Sequence, residues 1–216
     1  MCFSASASFG ASALLAATGV TALKRNTVRK NDLIAAIPFV FAVQQCLEGF
    51  VWLALESNSP QDRSLVPVIL FLIFAQVVWP TYVPLSFYRS EQNKGRKKIL
   101  LVILLLGICV SCYLARILFI CDSSAKQLNH HILYQQNITG WLPAFSGLFY
   151  FIPTVLPSLF SSIRKSWLLG LMIAAAYLTT KLFFPDFVIS IWCYFAALIS
   201  IIVYFIIYKN SGDSEK

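Results

Sequence analysis

Charge is scarce in this chain. Only 12% of its 216 residues are charged, and nine are acidic. Soluble domains carry about 25% charged residues. A chain so poor in charge cannot cover itself against water, which argues against an ordinary soluble domain. Histidine is scarcer still: His130 and His131 are the only two, and they are adjacent. They cannot build the several-histidine zinc site of a membrane hydrolase. H-E-x-x-H, G-x-S-x-G, Walker A and G-x-G-x-x-G are absent, so the common hydrolase and nucleotide chemistries have no motif here. The last apolar segment holds no lysine before Lys209, which removes a retinal Schiff base. No cofactor and no metal site are expected, and these absences lean away from an enzyme.

What is abundant is apolar. Hydrophobic residues make up 58% of the chain, and the mean hydropathy is +0.74. A core of this size cannot hide so much apolar surface, so lipid must cover the rest. Seven apolar segments stand out, at roughly 5–23, 33–55, 65–87, 99–121, 141–162, 166–184 and 187–208. Each has about the 17–25 residues that span the hydrocarbon as a helix. The runs are continuous rather than alternating, which disfavours strands. The fold expected is an all-α, seven-helix transmembrane bundle. It forms one domain over residues 1–208, with a short cytoplasmic tail at 209–216.

The net charge of +8 does not point to nucleic acid, because the basic residues sit in short clusters between apolar runs. Loops 1–2, 3–4 and 5–6 and the tail hold thirteen Lys or Arg, against Arg63 and Lys126 in the opposite loops. By the positive-inside rule the C-terminus is cytoplasmic and, with seven spans, the N-terminus is outside. Segment 1 lacks a basic n-region and is read as an uncleaved helix.

The longest outer loop, DSSAKQLNHHILYQQNIT, contains both histidines and the glycosylation-type triplet Asn137-Ile138-Thr139. Cys109-x-x-Cys112 lies mid-segment and reads as structural, as does Cys46. Cys2, Cys121 and Cys193 fall near the outer face, where a disulfide is one reading. Cys2 with a histidine as a soft-metal site is another, without ligand spacing to support it.

The informative residues are the polar ones inside apolar segments. FVFAVQQCLEGFVWLAL, residues 39–55, places Gln44, Glu48 and Trp52 at helical spacing on one face, with Gln45 beside them. Polar groups turn away from hydrocarbon, so this face should point into the bundle, and Gly49 should admit a neighbouring helix. Segment 3 adds Gln76, Trp79 and Pro80. Segment 5 adds Tyr150, Pro153 and Pro157, and prolines free carbonyls inside helices. Arg116 and Lys181 fall at the same depth as Glu48. The expectation is a polar cavity in the outer half, with Glu48 ion-paired to Arg116. Gln44, Gln45, Glu48, Trp52, Gln76, Trp79, Arg116, Tyr150 and Lys181 are its ligand-binding candidates. The alternative for Lys181 is snorkelling from a helix end.

The opening Met1-Cys2-Phe3-Ser4-Ala5, the run Gln44-Gln45-x-x-Glu48-Gly49-x-x-Trp52 and the pair Trp79-Pro80 resemble an uncharacterised bacterial family of small multipass membrane proteins that begin MCFSA. That resemblance implies a polytopic membrane protein and brings no activity.

The reading is therefore a bacterial inner-membrane protein that binds a small molecule or ion as a transporter or sensor component. Two rivals are an intramembrane enzyme using Glu48 as acid or base, and a scaffold whose polar residues lock its helices. The partners expected are the lipid bilayer and that ligand, not nucleic acid, and a protein partner or homo-oligomer is left open.

Overall fold

The computed structural model describes residues 4–56, 61–128, 131–136 and 142–212. Helix α1 runs over Ala5–Arg25, capped by Ser4, whose hydroxyl accepts from the Ala7 amide at 3.2 Å. A 3₁₀ turn at Arg29–Asn31 leads into α2, Asp32–Ala35, and then α3, Ile37–Glu56. Helix α4, Gln61–Leu72, passes through a π-helical stretch, Ile73–Val78, into α5, Trp79–Ser90. Helix α6 is Lys94–Ile120, α7 Leu142–Phe160, α8 Ser166–Phe183, α9 Val188–Ile199 and α10 Ile201–Gly212.

Six of these helical stretches are long and apolar enough to cross a membrane, and a shorter apolar helix covers 147–160. Their outer surface supports a bilayer as solvent. Val102, Phe119 and Leu182 are 67%, 73% and 77% exposed, among many large apolar side chains that face outward. Water-soluble monomers do not present such continuous apolar surface.

Small residues set the helix spacing. On α1 the buried stripe is Ala5, Ser8, Ala11, Leu15, Gly19 and Ala22, which lets α3 lie against it. A Cβ on Gly19 would sit 2.5 Å from the Phe39 backbone nitrogen, and one on Gly49 would sit 2.7 Å from the Phe9 ring. The role expected of Gly49 is therefore filled by a ring from α1. At Gly107 the Pro80 carbonyl occupies the space a side chain would need, which pins α6 to α5.

The connection after α6 differs from expectation. Part of it forms a two-stranded antiparallel hairpin, β1 at Ser123–Leu128 and β2 at His131–Gln136, with Ser123 opposite Gln136 and Leu128 opposite His131. The fold is mostly α-helical, in keeping with the all-α expectation, with this short hairpin added. Alternation explains it: Ile132 and Tyr134 turn inward and are buried. They pack on Val51, Trp52, Val68 and Phe71 over one end of the bundle. The seventh predicted segment is two helices, α9 and α10, parted at Ser200, and α10 extends into the predicted tail as far as Gly212. Cys2, His130, Asn137, Ile138 and Thr139 lie outside the described residues, and so do the readings placed on them.

Candidate functional site

The site is built on α3. Gln44, Gln45 and Glu48 are fully buried and Trp52 is 1% exposed, so the face read from the sequence does point into the bundle. Each arriving helix meets it with a polar group. From α5, Trp79 Nε1 donates to Gln44 Oε1 at 2.6 Å, and its ring stacks on Phe41 with centroids 3.9 Å apart. From α9, Ser190 Oγ donates to Glu48 Oε1 at 2.7 Å. One turn further on, Cys193 stands beside Glu48, Gln44 and, on α7, Tyr150.

Trp79 and Tyr150 owe their places to the π-helical stretch. In that register a carbonyl expects its donor five residues on. For Ala75 that residue is Pro80, which has no N–H. The orphaned Ala75 carbonyl is instead taken by the hydroxyl of Tyr150. The Val77 carbonyl accepts from Ser111 Oγ of α6 at 2.6 Å, and Ser111 also meets Thr81 at 2.9 Å. Gln76, in the same stretch, exchanges amide hydrogen bonds with Gln136 of the hairpin at 2.8 and 3.3 Å. The broken helix is thereby fastened to α6, α7 and β2.

Beside this cluster lies a cavity of about 200 Å³, with Ala75, Gln76, Leu114, Gly147, Tyr177 and Cys193 in its wall together with Tyr150 and Trp192. Trp192 packs edge-on against Tyr150 and Tyr177, with centroids 5.4 and 4.9 Å away. A narrow slot bordered by Phe41, Trp79 and Phe87 meets the cavity at Tyr150, Trp192 and Cys193. Toward the hairpin, a space of about 140 Å³ is walled by Ile132, Tyr134, Asp186 and Ser190, the residue that donates to Glu48.

Several buried polar atoms here have no protein partner: both amide atoms of Gln45, Trp52 Nε1 and Ser8 Oγ. Leaving such a group unpaired costs about 1–3 kcal/mol. Most of them lie on α3, beside the cavity but not in its wall.

Seven of the nine candidate residues, Gln44, Gln45, Glu48, Trp52, Gln76, Trp79 and Tyr150, lie in this interior. Arg116 and Lys181 do not. Arg116 is exposed on α6, and the expected pair with Glu48 is not formed. The buried stripe of α6 runs through Ile103, Gly107, Val110, Leu114 and Ile117, and Arg116 is turned off it. Lys181 is exposed at the end of α8 and lies over the Tyr177 ring at 5.8 Å, which is snorkelling geometry. Among the described residues Cys46, Cys109, Cys112, Cys121 and Cys193 are free thiols, so Cys121 and Cys193 are not bridged. No three His, Cys, Asp or Glu side chains gather as a metal set among the described residues.

Sequence reasoning left out Ser190, Cys193, Tyr177 and Trp192 as site members. Trp192 and Cys193 were recognisable by depth, and Ser190 as a hydroxyl three residues before Cys193, on the same helix face. Nothing in the sequence singles out Tyr177.

Fold and interior together define a mostly helical protein with several helices suited to a bilayer and a polar core among them. The chain belongs to DUF6629, a family of unknown function, whose sequence profile matches residues 1–215. Membership of an uncharacterised family is what the Gln-Gln-Glu run and the opening residues implied. No curated protein and no solved structure matches the chain.

Proposed function

We propose that this is a seven-span protein of a bacterial inner membrane that binds a small molecule between the π-helical stretch, α6, α7, α8 and α9, as a transporter or sensor component. The charge asymmetry of thirteen basic residues against two puts the N-terminus and the hairpin outside and the C-terminus in the cytoplasm. The cavity then opens in the outer half of the bilayer.

One observation carries the reading: a cavity of about 200 Å³ whose wall combines Tyr150, Tyr177 and Trp192 with Gln76 and Cys193. Its size selects the ligand. An apolar cavity of about 150 Å³ holds benzene, so this one suits a molecule of about one ring. Its lining is largely apolar and aromatic, which favours a neutral organic molecule over a bare ion. Gln76 supplies the polar contact that would orient it.

A second reading, acid–base chemistry at Glu48, has one observation in its favour. Ser190 links the carboxylate to the space beneath the hairpin.

Native mass spectrometry of the purified chain tests the binding reading. A co-purifying adduct of about one ring's mass is expected on the wild type. It should be lost on Gly147→Leu, which fills the cavity, and kept on Glu48→Gln if the carboxylate is not itself a ligand. Failure of Gly147→Leu to change binding would place the ligand elsewhere.

A further inference from the structure

The end of the bundle opposite the hairpin holds a second cleft, of about 460 Å³, bordered by Val28, Lys30, Asn31, Ser90, Glu91, Gln92, Asn93, Ser162, Ile163 and Arg164. Three connections meet there, and their hold on one another is specific. Ser90 Oγ donates to the Lys30 carbonyl at 2.8 Å, which ties the first connection to the end of α5. Glu91 is 3% exposed. Its Oε1 accepts from the Gln92 and Asn93 amides at 3.0 and 2.9 Å, and its Oε2 from the Ser162 amide at 2.7 Å, across to the third connection. Arg96 Nη1 reaches Ser162 Oγ at 3.3 Å.

The electrostatics follow from this arrangement. The one carboxylate in the wall, Glu91, is ionised and held by three backbone amides as a tie between connections, and the two wall cations outnumber it. The charges that face the opening are cations. Lys30 and Arg164 are exposed in the wall, and Arg96 is exposed at the edge. Helices α5 and α7 end here and α6 and α8 begin here, so the helix dipoles roughly cancel and the side chains set the charge. Arginine meets phosphate with paired N–H donors, and lysine meets it as a point charge.

We infer that this cleft binds a phosphate group, through Lys30 and Arg164 with Arg96 at its rim. Two sources carry that chemistry, the headgroup of an acidic phospholipid and a free phosphate compound. Basic pockets between helix ends at a membrane surface suit the first. The site is separate from the cavity near Tyr150 and does not depend on it.

The test uses the full chain in lipid nanodiscs, with melting temperature as readout. One arm uses neutral phosphatidylcholine discs and titrates inorganic phosphate. The other adds phosphatidylglycerol to the discs and omits phosphate. Stabilisation in the second arm alone assigns a lipid headgroup, and stabilisation in the first assigns a free phosphate. Lys30→Gln/Arg164→Gln should weaken the stabilising anion about tenfold or more. Lys24→Gln/Lys98→Gln removes the same charge from residues outside the cleft wall and should leave the effect intact. Each double variant is read against its own melting temperature in neutral discs without phosphate, so that any change in basal stability is subtracted. No shift in either arm, or equal losses in the two double variants, would overturn the assignment.

Discussion

Two buried glutamates can be compared, one at each end of the bundle. Glu91 is surrounded by donors: three backbone amides from two connections point at its oxygens. Glu48 takes a serine hydroxyl from α9, but the amides and indole on its own helix face include atoms with no protein partner. A carboxylate with its valences filled by backbone fixes loops. A buried polar face with spare valences is expensive unless something else completes it. The difference follows their sequence settings: Glu48 lies inside an apolar run and Glu91 in a polar connection.

Four experiments would break or sharpen that contrast. The largest effect is expected at the contact that shapes the site from outside. In Gly107→Leu the new side chain collides with the Pro80 carbonyl, so α5 and α6 must part. A loss of about 3 kcal/mol or more is expected as reduced thermal stability in detergent. A neutral outcome would mean that α5 is not held where Trp79 can reach Gln44.

Next, Trp79→Phe keeps the stack on Phe41 and deletes the donor to Gln44 Oε1. A destabilisation of about 2 kcal/mol is expected, because the amide oxygen is left buried and unpaired. An unchanged melting temperature would show that the Trp79–Gln44 hydrogen bond does not hold α5 to α3.

Glu91 gives a pH-dependent prediction. Burial raises its pKa, but hydrogen bonds from Ser162, Asn93 and Gln92 outweigh this and hold it below the ordinary 4.5. The folded state therefore binds that proton less readily than the unfolded chain. Its contribution to stability is full above about pH 4.5 and is lost as pH falls through the lower folded value. Glu91→Gln should cost about 1 kcal/mol at pH 7 and flatten the acid limb of a stability–pH profile. An unchanged limb would remove Glu91 as its cause.

The smallest effect is expected at Arg116. Arg116→Gln should change stability by less than about 0.5 kcal/mol. Combined with Glu48→Gln it should be additive, since the residues do not touch. Coupling between them would revive the ion pair.

Much of the architecture was legible because hydropathy reports directly what lipid demands. Six of the seven segments contain a helical stretch long and apolar enough to cross a membrane, and the fifth contains a shorter apolar helix. The inward face of α3 was legible for the same reason, since Gln44, Gln45 and Glu48 have no affordable place in hydrocarbon. The hairpin was missed because its two inward residues, Ile132 and Tyr134, give a short period-two signal within a polar stretch. The Glu48–Arg116 pair was misjudged because matching by depth ignored rotation about the helix axis. The spacing of Leu114 and Ile117 already set the buried side of α6. The π-helical stretch has a visible trace, Trp79-Pro80, but a proline announces only that carbonyls are freed. It does not say that Tyr150 arrives to take one.

The central claim is that the cavity walled by Gln76, Tyr150 and Trp192 holds a guest. An experimental density map of the protein, purified in mild detergent without delipidation, tests it most directly. The account predicts non-protein density of about one ring in the cavity between Gln76, Tyr150, Tyr177, Trp192 and Cys193, with Trp79 still donating to Gln44. A cavity closed by its own side chains, with no density in it, would contradict it.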